Sequence, residues 1–481
     1  MEMNKKIIVY LLGWIMNMEA IFMLLPCVVA AIYRESSGIW FLAVMAVCGT
    51  TGLLLTRRKP DNMVFFAKEG FVSVALSWIV LSFFGSLPFY LSREIPRFED
   101  AMFEVISGFT TTGASILTDV EGLSHCMLIW RSFTHWIGGM GVLVFILAIL
   151  PLAGGYNMYL MKAESPGPSV GKLVPKVKST AKILYGIYFF MTVVEVILLL
   201  VGGMPLFDSL ATSFGTAGTG GFGIKNNSIA FYDSYYLQGV ITVFMILFGI
   251  NFNVYYLFLI HHPKDALRCE EARAYLGIIG VTVLLITLNI RGSFTSIFAA
   301  FHHAAFQVAS IITTTGFSTV DFDKWPEFSK GLLVVLMFIG ACAGSTGGGL
   351  KVSRVIILLK SVKKELFSLL HPRSVKIIKI ESKPVEHQVI RSINTFLVAY
   401  LVIFVLSTVI VSLDNFDFTT NFTAVAATFN NIGPGLGAVG PTGNFSGFSA
   451  MSKWVMMFDM LAGRLEVFPM LLLFAPSTWK K

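Results

Sequence analysis

Charge is scarce in this chain: Asp, Glu, Lys and Arg make up 13% of its 481 residues, about half the share of an ordinary soluble domain. With 55% hydrophobic residues and a mean hydropathy of +0.74, a soluble globular protein is excluded. Cysteine is rare as well. Cys27, Cys48, Cys126, Cys269 and Cys342 form no CxxC pair and no even framework, which leaves small apolar packing as their role. Catalytic patterns are also missing. There is no HExxH and no GxSxG; His135 stands alone, His261-His262 close an apolar run, and His302-His303 are neighbours on a helix that point to different faces. No set of these histidines has metal-ligand spacing, and an enzyme reading finds no support.

Long apolar runs are abundant. Ten reach or approach the roughly 20 residues that cross a bilayer as a helix: Ile7–Tyr33, Ile39–Thr56, Phe71–Leu91, Ile129–Leu152, Ile183–Val201, Leu237–Ile260, Tyr275–Ile290, Leu332–Leu359, Phe396–Leu413 and Trp454–Phe474. The first has the Lys5-Lys6 flank of a signal peptide, but it continues to Tyr33 and a second run follows at once, so an uncleaved helix is expected. Net charge is +8. Loops 57–68, 154–182, 262–273 and 351–391 carry 22 of the 36 Lys and Arg residues, which puts them and both termini on the cytoplasmic side. The basic excess is therefore a topology signal, and no nucleic-acid partner is implied. Acids such as Glu94, Glu99, Asp119, Glu121 and Asp233 gather on the other side, where they are solvated loop residues that also concentrate cations.

Past the first two runs one pattern returns four times: an apolar run, a segment too short to span, a Gly/Thr-rich loop and another apolar run. The short segments end at Thr111-Thr112-Gly113, Thr219-Gly220-Gly221, Thr314-Thr315-Gly316 and Asn431-Ile432-Gly433. Irregular backbone at membrane depth survives only when buried in protein or lining a watery cavity, so four such loops point to one cavity on a pseudo-fourfold axis. Glycine at each aligned position lets carbonyl oxygens turn toward that axis, where they can replace the hydration shell of a cation. The negative ends of the short helices would favour the same charge. Asp100, Asp208 and Asp417 stand near three helix starts, where capping is the expected role.

These loops, together with HWIGGMGVLVF (135–145) and GACAGSTGGGLKVSR (340–354), resemble the bacterial Trk/Ktr potassium-transporter superfamily over about residues 70–475. The two extra N-terminal helices are similar to those of its Trk-type pore subunits. The resemblance implies an all-α membrane fold of ten spanning helices, with four helix–pore helix–filter loop–helix repeats. It implies potassium as the transported ion, bound at the twelve loop residues just named, and no organic cofactor. It also implies a homodimer and a cytoplasmic TrkA-like ring of regulatory subunits that binds ATP/ADP or NAD(H).

The expected organisation is two N-terminal helices (1–68), then repeats at 69–155, 156–262, 263–362 and 363–481. In the third repeat, Gly340–Gly349 cannot hold a helix well, since each interior glycine costs about 1 kcal/mol against alanine. Close helix packing is one reading. The resemblance supports another, a gate beneath the filter made of Gly340, Gly344, Ser345, Thr346, Gly347, Gly348, Gly349 and Lys351. The stretch is no phosphate loop, because Gly349 is followed by Leu350-Lys351 and no strand precedes it. Arg464 lies inside the last run; the resemblance aims it at the pore, and a salt bridge to Glu466 or Asp459 is the structural alternative. Glu19 and Glu195 are assigned to packing or pairing inside the bundle. The expected function is gated potassium uptake across the bacterial inner membrane, passing K+ and Rb+ over Na+ and Li+, with coupling to H+ or Na+ left open. An alternating-access symporter is the rival reading.

Overall fold

The computed structural model describes residues 3–60, 66–141, 177–374, 376–381 and 383–479. Over these residues the chain is helical, apart from a two-stranded hairpin that pairs Lys379–Ile380 with Lys383–Pro384. The expected basic loop 154–182, the end of the fourth apolar run and the boundary at 155 lie wholly or mostly outside the described residues.

The described helices are α1 (Lys5–Phe22), α2 (Leu24–Tyr33), α3 (Gly38–Thr56), α4 (Ala67–Ser92), α5 (Phe98–Phe109), α6 (His125–Gly139), α7 (Val177–Val201), α8 (Leu206–Ala217), α9 (Tyr235–Phe248), α10 (Phe252–Leu259), α11 (Pro263–Arg268), α12 (Glu270–Ile290), α13 (Ile297–Ile312), α14 (Glu327–Ile339), α15 (Val352–Leu370), α16 (His387–Val411), α17 (Phe418–Phe429), α18 (Ala450–Arg464), α19 (Phe468–Phe474) and α20 (Pro476–Trp479). Among the described residues, six spans are long and apolar enough to cross a membrane, or seven if the bent pair α9–α10 is one span. Several of the apolar runs are broken within their length, for local reasons. Pro26 has no N–H to offer Phe22, four residues earlier, and α1 gives way to α2 there. A bend of 89° separates α9 from α10, where Asn251 caps the new helix by accepting from Asn253 N at 2.9 Å. Glu466 and Val467 take positive φ ahead of Pro469 and end α18.

Four short helices, α5, α8, α13 and α17, each pack between the helix before and the helix after them. Contacts α6–α8, α9–α13, α14–α17 and α18–α5 then join the four units in a closed ring. Outside this ring α1 packs on α3 and α4, and α2 on α6. Glu35 fastens that layer by accepting from the backbone N–H groups of His125 and Cys126 at 2.7 and 2.9 Å. The outer faces stay apolar and exposed; on α16, Val398, Leu401, Val402, Val405, Leu406 and Val409 all face outward. A band of this kind is stable against lipid, where close helix contact and hydrogen bonds hold neighbours together in place of a hydrophobic drive.

Candidate ion pathway

Each short helix ends in the same C-terminal turn. In the first, Thr112 N donates to Ser107 O at 2.8 Å and Thr111 N to Gly108 O at 3.0 Å. The equivalent longer bonds are Gly220–Gly215, Thr315–Ser310 and Ile432–Ala427, at 2.9, 2.8 and 2.8 Å. This Schellman pattern needs a left-handed residue, usually glycine. Here it falls on Thr111, Thr219, Thr314 and Asn431, with φ of 55°, 54°, 60° and 56°. A β-branched residue in that region is a genuine outlier, and strain of about 1–3 kcal/mol at each such residue is characteristic of functional segments. Two residues on, Gly113, Gly221, Gly316 and Gly433 also have positive φ, between 76° and 100°.

The four loops close on one another. A Cβ added to Gly113 would strike the Gly220 carbonyl, one on Gly221 the Thr315 carbonyl, one on Gly316 the Ile432 carbonyl, and one on Gly433 the Thr112 carbonyl. Four carbonyl oxygens thus alternate with four glycine Cα atoms around a ring, in the order of the chain. All twelve loop residues named from the sequence lie here, and Thr111, Thr112, Thr219, Thr314, Thr315, Asn431 and Ile432 are fully buried. Side chains reinforce the circle: Asn431 Nδ2 donates to Thr112 Oγ1 at 2.9 Å, and the hydroxyls of Thr110–Thr112 and Thr313–Thr315 pair at 2.8 and 2.7 Å. On one side of the ring opens a cavity of about 250 Å³ that includes all four glycines.

The acids at the helix starts divide in their roles. Asp417 is a cap, accepting from Thr420 N at 3.0 Å. The Thr420 hydroxyl and this backbone bond hold its carboxyl below the usual range. Asp100 and Asp208 do not cap. Asp100 pairs with Lys453 at 2.6 Å, and Asp208 accepts from the Tyr232 hydroxyl at 2.6 Å. Both lie within the first helical turn, with their carboxylates turned to these partners on other elements. Sequence reasoning missed the buried Glu104–Arg131 pair at 2.7 Å. Glu104 also accepts from Ile116 N at 3.0 Å, and Arg131 donates to Gly223 O at 3.0 Å, so the pair joins the returning strands of the first two loops at the cavity wall. Two charges 27 residues apart on separate helices leave no local signal.

On the opposite side of the ring the path is filled by residues Gly340–Lys351. Gly348 N donates to Thr314 Oγ1 at 2.6 Å, and Gly349 N to Asn430 O at 3.1 Å. Thr346 Oγ1 donates to Phe248 O at 3.2 Å. Arg464 donates to the carbonyls of Thr346, Gly138 and Gly139 at 2.8, 2.5 and 2.8 Å. The segment therefore touches the second, third and fourth units directly and reaches the first through Arg464. Lys351 is buried, with its ammonium on the Gly347 carbonyl. The space left among Gly347–Gly349, Lys351, Arg354, Arg464 and Glu466 is about 10 Å³, at most a single water's worth.

Glu466, offered as a partner for Arg464, pairs with Arg354 at 2.6 Å, while Asp459 accepts from Ser407 Oγ at 2.8 Å. The left-handed turn at Glu466 carries its carboxylate to the α15 side. Glu19 and Glu195 are fully buried, and the Glu19 carboxylate accepts no hydrogen bond among the described residues. His302 meets Gln238 at 2.7 Å and His303 meets Thr319 at 3.0 Å, and no metal-holding cluster occurs among the described residues.

Lipid-compatible outer faces and a closed ring of backbone carbonyls together define a helical membrane transport protein. The TrkH family model, described as cation transport protein, matches residues 38–300 and 291–481, and the chain belongs to that family. It is 38% identical to the Trk system potassium uptake protein TrkH of Salmonella typhimurium, over 95% of this chain and 96% of that one. Against the protein of the same name from Vibrio parahaemolyticus the identity is 37%, over 99% and 100%. The crystal structure of the potassium transporter TrkH from Vibrio parahaemolyticus superposes with a TM-score of 0.89 at 34% identity, covering 99% of this chain and 100% of that one.

Proposed function

We propose that this chain is a potassium uptake pore of the bacterial inner membrane, built from ten spanning helices, with both termini cytoplasmic. The observation that carries the reading is the closed ring of four loops, in which the carbonyls of Thr112, Gly220, Thr315 and Ile432 take the place of the water around a dehydrated cation. Thr111–Gly113, Thr219–Gly221, Thr314–Gly316 and Asn431–Gly433 are the filter. The cavity of about 250 Å³ above it is the entrance. Residues Gly340–Lys351, pinned by Arg464, are a gate in its shut position.

An inside-negative potential supplies roughly 2.3 kcal/mol per charge per 100 mV, enough to concentrate K+ without ATP hydrolysis by this chain. The relatives are named as members of a Trk system, which supports a regulatory partner. We place its dock on basic segments 154–182 and 351–391, and take the working form as a homodimer.

Cation uptake into liposomes holding the purified chain tests the reading. K+ and Rb+ are expected to enter faster than Na+ and Li+ under a potential alone. Uptake that requires a Na+ or H+ gradient would replace the pore with an alternating-access carrier.

A further inference from the structure

The segment that fills the pathway begins at Gly340 and ends at Lys351, and one side chain from outside it holds both ends. Glu271, in the first turn of α12, is buried. Its Oε1 accepts from Ala343 N at 2.7 Å and from Ser353 N at 3.0 Å. Those amides are ten positions apart in sequence, one near the entry to the loop and the other in the first turn of α15. A single carboxylate oxygen therefore fixes the span that the loop must bridge. The neighbouring residue makes a parallel tie further along α15, where Lys360 pairs with Glu270 at 2.5 Å. At the first residue of α10, the same loop is held a second time by the bond from Phe252 N to Gly344 O at 3.0 Å.

We infer that Glu271 is the latch of this gate: a positioning residue whose carboxylate keeps the loop under the filter by holding its two ends together. The inference rests on reading Gly340–Lys351 as the gate of a cation pore. Glu271 lines neither the cavity beside the ring nor the space under the gate segment, so its removal frees the loop and leaves the ring of carbonyls as it was. An ionised acceptor makes hydrogen bonds about twice as strong as a neutral one. Glutamine keeps the shape and an acceptor oxygen but loses the charge; alanine loses both.

The test is Rb+ uptake by the full chain in liposomes without any partner, comparing wild type, Glu271→Gln, Glu271→Ala and a variant lacking residues 344–348. Wild type is expected to be slowest. Glu271→Gln should raise uptake roughly five- to thirty-fold and Glu271→Ala further, with the Rb+/Na+ preference unchanged. Hydrogen exchange at Ala343 and Ser353 should accelerate in the same order, a readout that does not depend on flux. Unchanged uptake and exchange in both substitutions, uptake lost in a monodisperse protein, or a gain accompanied by lost selectivity would each overturn the latch. If the loop deletion conducts selectively while both Glu271 variants behave as wild type, the latch fails and the pore reading stands. If neither wild type nor the deletion passes Rb+, the pore reading itself fails.

Discussion

Replacing Gly316 with alanine puts a methyl group where the Ile432 carbonyl oxygen lies, with Pro434 Cδ 2.9 Å away on the other flank. Neither neighbour is the loose end of a flexible side chain. Gly316 has φ of +85°, and an L-residue in left-handed backbone carries about 1–2 kcal/mol of strain even in open space. Relief comes from turning the loop, which takes the Thr315 carbonyl out of the ring, or from pushing Ile432 back. Either movement widens one quadrant of a four-carbonyl site. If the strain is transferred in full to ion binding, 1–2 kcal/mol corresponds to a roughly five- to thirty-fold fall in discrimination.

The assay is Rb+ against Na+ uptake in liposomes, with Gly277→Ala as control. Gly277 lies within α12 with nothing within 4 Å of an added Cβ, so that change should raise stability by about 0.5–1 kcal/mol and leave selectivity alone. A Gly316→Ala protein with wild-type preference would refute the assignment of the ring as the filter.

Arg464→Ala removes three hydrogen bonds that tie the loop at Thr346 to α6; uptake without a partner should rise several-fold, read in the same liposomes. Arg131→Ala leaves Glu104 buried and unpaired, and should destabilise by about 3–5 kcal/mol in thermal unfolding. The pair of changes Arg131→Met and Glu104→Gln should destabilise less. The Asp417 carboxyl is held low by the Thr420 hydroxyl and backbone N–H. Its contribution is therefore present above the ordinary aspartate range and disappears as pH falls through the lowered value. Asp417→Asn should flatten this acid limb of a melting-temperature profile.

Much of the loop ring was legible because a period of about a hundred residues brought Thr-x-Gly, or Asn-x-Gly in the fourth case, back beside a short apolar segment. Lys351 and residues Gly340–Gly349 were likewise visible, as a run that no helix tolerates. What could not be read were partnerships between distant positions: Glu104 with Arg131, Asp100 with Lys453, Arg354 with Glu466, and Glu271 with Ala343 and Ser353 at the two ends of the glycine-rich segment. Asp100 and Asp208 looked like caps because acids at helix starts usually are. Their side chains found a cation and a phenol on other helices instead.

By itself, the sequence determined that this chain lives in a bilayer, repeats four times and breaks its backbone at defined glycines, because hydropathy, period and backbone freedom are local properties. Only the tertiary structure decided that the four breaks meet in one ring, in chain order, with the glycine-rich segment folded beneath it. That outcome depends on which helices pack together, and the packing of neighbours is carried by contacts that no single stretch of chain contains.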